Sequence, residues 1–384
     1  MEYLFWISLF LIFYTFLGYG ILLLVLVKVK RLFMSGKAYQ AALPSCTVVV
    51  AAYNESEFIE KKIQNTLELE YPGELKFVFV SDGSTDDTPE IISRFPQVQG
   101  FYEKERKGKI HAIHRVMEQV GTDVVVFTDA NTLLNREALL KICGHYADPR
   151  VGAVAGEKRV QSDEAADATA GEGFYWKYES ALKKWDSELY SVVGAAGELF
   201  SCRRNLYVPV PADAILDDFM ISMRIAEKGY RIVYEPEAYA TETTSENVGE
   251  ELKRKIRIAA GGIQSVVWLK GLLLPKNPVL TFQYISHRVL RWTITPFLLI
   301  LVFVLNCLLV TREDHPIYLL LLAAQAVFYA AALAGWLLAR RQVKVKTLFI
   351  PYYFCMMNYA VLAGIFRYFF GQQSVLWEKA RRKA

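Results

Sequence analysis

The sequence predicts an α/β domain held between membrane helices, and three observations carry that prediction. Short valine-rich runs alternate with helical patterns between residues 44 and 155. Aspartates close those runs: Asp82 ends KFVFVSD and Asp129 ends DVVVFTD. Long apolar stretches stand both before and after this region.

The composition agrees. Of 384 residues, 53% are hydrophobic and the mean hydropathy is +0.19, high for a water-soluble chain. The net charge of +4 is small. Its basic residues bunch beside apolar stretches, as Lys28, Lys30 and Arg31, then Arg340, Arg341, Lys344 and Lys346. That placement reads as charge flanking membrane segments, not as a nucleic-acid surface. Five cysteines (Cys46, Cys143, Cys202, Cys307, Cys355) form neither a CxxC pair nor a zinc spacing. Mostly buried free thiols in a reducing compartment are expected.

Residues 1–30 read as a membrane helix with its apolar heart at 3–27. Positive charge follows this stretch instead of preceding it. An uncleaved anchor is expected, with the next domain cytoplasmic. That domain spans 31–261. Its strands are expected at Cys46–Ala52, Lys76–Ser81, Asp123–Thr128 and Val151–Gly156, and its helices at about 55–68, 87–94, 108–120 and 135–146. Continuous apolar runs of this kind suit a parallel sheet covered on both faces. In such sheets the ligand lies beyond the carboxyl ends of the strands. Within 157–212, the run GEGFYWKYESALKKWDSELY reads as a helix that lines an acceptor groove or packs the domain on membrane helices.

Residues 262–292 mix Trp, Tyr, Arg and His with apolar residues and read as amphipathic helices at the lipid interface. Within 293–370, the stretches 293–310, 317–338 and 347–366 each approach the ~20 residues of a helical span. The acidic loop 311–316 would lie outside and the basic loop 339–346 inside. The chain is therefore expected to be a multi-pass protein of the cell membrane. The tail 371–384, with Trp377, Lys379, Arg381, Arg382 and Lys383, would fall outside, against the charge rule.

The motifs narrow the chemistry. No GxGxxG follows the first strand and there is no Walker A loop, which argues against a dinucleotide oxidoreductase and a P-loop NTPase. AAYNES at 51–56 either holds a nucleotide or caps a helix. Asp82 is followed by Gly83, which permits a tight turn. Asp86 or Asp87 would cap the next helix, which leaves Asp82 for a base or ribose contact. Asp129, at a strand tip in FTDANT, is a hard oxygen ligand for Mg²⁺ or Mn²⁺ beside a diphosphate. Asn131 would contribute through its carbonyl oxygen or a water. Asp217 and Asp218 are adjacent and cannot share a helix face, so one points to the site; Asp218 is the expected base. Arg254 and Arg257, three apart, share a face. They would grip a diphosphate or face lipid headgroups.

Taken in order, these motifs resemble those of the membrane-embedded family 2 glycosyltransferases of the GT-A fold, the branch that includes cellulose, chitin and hyaluronan synthases. The resemblance runs from about residue 44 to the end. It implies an inverting transfer from a nucleotide-sugar, with Mg²⁺ or Mn²⁺. It places Ala52, Tyr53 and Glu55 in the donor-binding loop, Asp82 on the uracil side of UDP and Lys109 near the nucleotide. Asp129 matches the first aspartate of DxD, with Asn131 in the second place. Gly197, Glu198 and Leu199 resemble the acceptor-side loop, and Asp217-Asp218 the Glu-Asp of the TED motif. The chain departs from the processive synthases at QxxRW. The matching stretch is Arg254-Lys255-Ile256-Arg257-Ile258, which keeps the arginine and lacks Gln and Trp. An RxxRW does occur later, at Arg288–Trp292. The expectation is therefore transfer of single sugars to a glycan or lipid-linked acceptor in the bilayer. The alternative is a processive polysaccharide synthase of the cellulose, hyaluronan or poly-N-acetylglucosamine type, which could need an export partner. A nucleotidyltransferase would release pyrophosphate instead, and a transport or binding protein would leave Asp218 without a task.

Overall fold

The computed structural model describes residues 1–33, 42–161, 170–243, 248–341, 343 and 345–371. Lys344 and the tail residues Trp377, Lys379, Arg381, Arg382 and Lys383 lie outside that set. Eight strands form one sheet: β1 (Cys46–Ala52), β2 (Leu75–Asp82), β3 (Gln99–Glu103), β4 (Val124–Asp129), β5 (Leu133–Leu134), β6 (Val151–Gln161), β7 (Leu199–Arg203) and β8 (Arg231–Thr243). Their order is β3-β2-β1-β4-β7-β6-β8-β5. The first four are parallel; three of them match expected strands, β3 does not, and the fourth expected strand, at Val151–Gly156, is the start of β6, which lies beyond β7. The remainder mixes directions: β7 runs antiparallel to both β4 and β6, β5 runs antiparallel to β8, and β6 and β8 are parallel. The sheet is thus mixed. β7 is a five-residue strand whose pairing is set by distant neighbours, not by a pattern of its own.

Side chains alternate across β1. Val48 and Val50 join one buried layer with Ile59, Ile63 and Leu139. Val49 joins the other with Ile110, Ile113, Phe127 and Met220. Both faces are covered, and this is why the strand reads as an unbroken apolar run. Cys46 and Cys143, remote in sequence, both lie in the first layer as buried free thiols.

The helices used below are α1 (Glu2–Phe33), α2 (Ile59–Leu67), α3 (Thr88–Ser93), α4 (Lys109–Met117), α5 (Ala138–Gly144), α6 (Ala170–Leu189), α7 (Asp217–Glu227), α8 (Val248–Trp268), α9 (Pro278–Trp292), α10 (Thr295–Val310), α11 (Pro316–Arg340) and α12 (Lys346–Phe369). Among the described residues, α1, α11 and α12 are long and apolar enough to cross a membrane. α9 and α10 meet at a 59° bend, as a broken span or a re-entrant loop. α10 alone, at 16 residues, is ~24 Å long and falls short of a ~30 Å hydrocarbon core. Residues 262–268, read as interfacial, are the last turns of α8, which packs along α12.

α6 docks the domain on α1. Leu182 packs on Tyr19 and Leu23. Tyr178 Oη donates to the Phe16 carbonyl at 2.8 Å, and Lys30 Nζ donates to the carbonyls of Glu188 and Leu189 at 2.7 and 2.8 Å. Arg31 pairs with the Glu188 carboxylate. Of the two readings for this helix, packing against membrane helices describes its Tyr178–Leu189 face.

Candidate active site

β1 is flanked by β2 and β4; the chain runs outward from β1 through β2 to β3, then crosses back to place β4 on the other side of β1. The crevice at such a reversal is where α/β sheets bind ligands. A cleft of about 580 Å³ opens there, lined by Ala51, Ala52, Tyr53, Glu55, Asp82, Arg106, Gly108, Lys109, Asp129, Ala130 and Asn131. Every donor-side residue singled out in the sequence borders it except the two arginines. Asp82 ends β2, Asp129 ends β4, and Ala51 sits opposite Asp129 in the β1–β4 ladder.

The loops around the cleft hold one another. Asn54, in a left-handed conformation with φ +53°, accepts from the Thr85 backbone N–H at 2.8 Å. Asp86 accepts from the N–H groups of Ser56 and Thr88 at 3.0 and 3.1 Å. It caps the start of α3 as expected and also ties the two loops together. AAYNES caps no helix by side chain; α2 begins later, at Ile59. Asp82 is buried, and its carboxylate accepts the N–H groups of Lys107 and Gly108 at 3.1 and 2.6 Å. Gly83 (φ +67°) lies so close to this segment that a Cβ would meet the Arg106 backbone at 2.6 Å. Asp82 therefore shapes the 106–108 turn while bordering the cleft. Arg106 stacks on the Tyr53 ring, 3.7 Å from its centre, and makes a planar wall that the sequence did not reveal.

Lys109 opens α4 and reaches across to Asp129, with Nζ to Oδ1 at 2.6 Å. It also stands 4.0 Å from Asp217. Gly197 passes between this amine and helix α7: a Cβ there would lie 3.2 Å from Lys109 Nζ and 3.3 Å from Asp218 Oδ2. Asp217 and Asp218 form the first turn of α7. One geometry thus joins the acids of two distant motifs through one lysine.

The electrostatics follow from this crowding. Burial and the neighbouring Asp217 charge push Asp218 up to about 7, against the pull of Lys109. Burial raises Asp129 as well, although Lys109 lowers it. Lys109 is disfavoured by burial, yet Asp129, Asp217 and Asp218 hold it above the ordinary lysine range. Burial lowers Arg257, and the same three acids offset part of that loss. Arg257 therefore faces the acid cluster, with Nη1 also 3.3 Å from the Ile215 carbonyl. Arg254 does not share that environment. It pairs with Glu251 at 3.0 Å and lies 3.9 Å from Glu242. Nearby, Lys158 joins Glu198 and Glu242, which holds Glu198 below the usual carboxylate range despite its burial.

Two oxygens in this region, Asn131 Oδ1 and Asp217 Oδ2, are buried without a hydrogen bond, the second with only the Lys109 amine 4.0 Å away. Such atoms are disfavoured unless a ligand, ion or water completes them. Asp129 and Asn131 offer hard oxygen donors on one turn. The described residues contain no cluster of three or more acid, His or Cys ligands. This donor set fits an ion that takes one or two protein oxygens and completes its shell with phosphate and water, as Mg²⁺ does.

Comparison with known proteins bears on this geometry. The family model described as "Glycosyl transferase family 2" matches residues 47–208. The poly-beta-1,6-N-acetyl-D-glucosamine synthase of Staphylococcus aureus (strain COL) is 29% identical over 227 residues, covering 57% of this chain and 55% of the relative. The Staphylococcus epidermidis enzyme of the same name is 26% identical over 233 residues, covering 59% and 56%. The chain spans about half the length of these curated relatives. Among solved structures, a mannosyltransferase from Pyrobaculum calidifontis in complex with GDP-Man and Mn²⁺ superposes with a TM-score of 0.72 at 25% identity. That likeness covers 96% of this chain and all of the other. The expected α/β GT-A fold with flanking helices is borne out.

Proposed function

We propose that this chain, whose residues 47–208 form a family 2 glycosyl transferase domain of the GT-A fold, is an inverting, metal-assisted glycosyltransferase that builds a polysaccharide from a nucleotide-sugar at the membrane. The observation that carries the chemistry is the placement of Asp218. It is a carboxylate lifted to about 7, set across Gly197 from the Lys109–Asp129 pair at the donor cleft.

The nucleotide would enter between Tyr53, Asp82 and Arg106. Lys109 and Arg257 would meet the negative diphosphate. Asp129 and Asn131 would hold the divalent ion, Mg²⁺ or Mn²⁺, whose chemistry is to neutralise charge on the departing nucleoside diphosphate. Asp218 would accept the proton of an acceptor hydroxyl. That oxygen forms its bond to the anomeric carbon from the face opposite the leaving group as the bond to the diphosphate breaks, so the configuration inverts. No residue becomes covalently attached to the sugar. The domain would sit on the cytoplasmic side, beside the basic loops.

The sequence favoured single-sugar transfer because Gln and Trp are missing from QxxRW. The synthase relatives back the polymer alternative better. One observation keeps limited transfer as a second reading: the relative that matches the chain along 96% of its length is a mannosyltransferase. The resemblance points to UDP as the nucleotide, whereas that mannosyltransferase holds GDP-Man.

The test is nucleotide release by purified protein in lipid, over a panel of UDP- and GDP-sugars with Mg²⁺ or Mn²⁺, followed by sizing of the product. Metal-dependent release with a long glycan is the expected result. Release that requires an added lipid acceptor and stops at one sugar would overturn the polymer reading. Absence of release from every donor would overturn the transferase itself.

A further inference from the structure

Lys62 lies on α2, away from every motif used above. Its side chain is fully buried. Nζ donates to Thr128 Oγ1 at 2.9 Å and to the Thr132 carbonyl at 2.8 Å. These two threonines bracket Asp129 and Asn131. The turn has further ties. Thr132 Oγ1 donates to the Asp129 carbonyl at 3.0 Å, and Thr128 Oγ1 donates to the Glu198 carbonyl at 2.9 Å. One turn further along α2, Asn65 pairs in both directions with the Leu134 backbone, at 2.9 and 2.8 Å. α2 therefore pins the segment 128–134 at both ends.

A neutral donor could tie down a turn without burying an ammonium. Buried charge is strongly disfavoured unless something compensates it. The contacts of Lys62 are all to neutral oxygens. Burial pushes the amine down to about 7, and the opposing pull comes from Asp129. Asp129 thus offsets only part of that burial, and the amine is held by its three hydrogen-bond acceptors on the turn.

We infer that Lys62 is a positioning residue for diphosphate and metal binding: its buried ammonium fixes the Thr128–Thr132 turn and, through Thr128, links that turn to the acceptor-side loop at Glu198. The inference rests on the nucleotide-sugar reading of the cleft. Residues that orient metal ligands from behind typically change metal affinity by about 10–100-fold when lost.

The test uses the full chain in lipid, with Lys62→Met, Lys62→Gln and Asp129→Ala beside the wild type. Mn²⁺ uptake is read from loss of the free-ion electron-paramagnetic signal, with UDP or GDP present. Melting without ligand is read in parallel, together with KM and kcat for the active donor. Lys62→Met should weaken Mn²⁺–nucleotide uptake about tenfold or more and raise donor KM far more than it lowers kcat. Its melting point should move by less than about 5 °C. Lys62→Gln, which keeps a donor without charge, should fall between Met and wild type. Uptake by Lys62→Met within about twofold of wild type would overturn the inference. A collapse in melting that tracks lost uptake in both Lys62 variants would overturn it too, since a merely structural tie behaves that way. If wild type and Asp129→Ala take up Mn²⁺ equally, or neither does, the metal reading fails and takes this inference with it.

Discussion

Among the described residues, two of the buried clusters of charge are built on opposite terms. Where α6 meets α1 and α9, Glu179 and Asp186 are buried and all four of their carboxylate oxygens are met. Asp186 accepts from Tyr19, from Gln283 at 2.9 Å and from His287 at 2.5 Å. Glu179 accepts from His287 at 3.0 Å, Arg288 at 2.8 Å and Arg291 at 2.9 Å. These cations overcome burial and hold Glu179 well below the usual carboxylate range. At the cleft, three acids share Lys109 and Arg257, two nearby oxygens lack hydrogen bonds, and Asp218 is raised. Satisfaction makes a joint, whereas deficit makes a site that a ligand can complete.

The largest expected break falls on the unsatisfied cluster. Asp218→Asn should lower turnover by about 10²–10⁴-fold, because the proton acceptor is lost. Binding of nucleoside diphosphate, read by calorimetry, should stay within about twofold. The same change should stabilise the protein at high pH. A raised carboxyl group adds stability that is complete below its unfolded value near 3.8 and is lost as pH rises through about 7. The variant should therefore melt higher than wild type above pH 7 and match it below pH ~4. Equal melting at pH 8 would contradict the buried repulsion between Asp217 and Asp218.

The satisfied cluster should break differently. Glu179→Ala leaves Arg288, Arg291 and His287 without their shared anion, and should cost about 3–5 kcal/mol of stability. Denaturation in detergent measures this. Turnover per folded molecule should hardly change; a selective loss of turnover would erase the distinction between joint and site.

Two smaller effects sharpen the contrast. kcat/KM should fall tenfold per pH unit below about 7, since Asp218 must be ionised to act as a base. A flat profile from pH 5 to 8 would remove that role. Gly197→Ala should reduce turnover by about tenfold, because its Cβ would push Lys109 and Asp218 apart by a few tenths of an ångström. A rate equal to wild type would show that this spacing is slack.

Much of the cleft was legible because strands announce their own ends. A valine run that stops at an aspartate shows where the carboxyl edge lies, and β1 matches its expected bounds residue for residue. The cleft then gathers Tyr53, Asp82, Lys109 and Asp129 as a consequence of parallel pairing. What stayed hidden depends on contacts between distant residues. Arg254 and Arg257 share a helix face in sequence, but Glu251 engages one while the acid cluster faces the other. Arg106 sits in a charged run and shows its stacking only once Tyr53 is beside it. Lys62 looked like one more charge in IEKKIQ. Its signal was present in the spacing of Ile59, Lys62, Ile63 and Thr66, which puts the lysine on the buried face of α2. The antiparallel β7 left no pattern, because five residues, four of them buried, carry no period that reports direction.

The α1–α6 seam has a geometric consequence. α1 is gripped at successive levels, by Tyr178 at Phe16, by Asp186 at Tyr19 and by Glu188 at Lys30 and Arg31. An anchor fastened at one point is a hinge, whereas one fastened along about ten ångströms or more is a mast. On the proposed reading, the cleft would then stand at a set altitude over the lipid. Whatever receives each sugar would have to come to that altitude, and any lengthening chain would travel past a domain that does not lean to follow it.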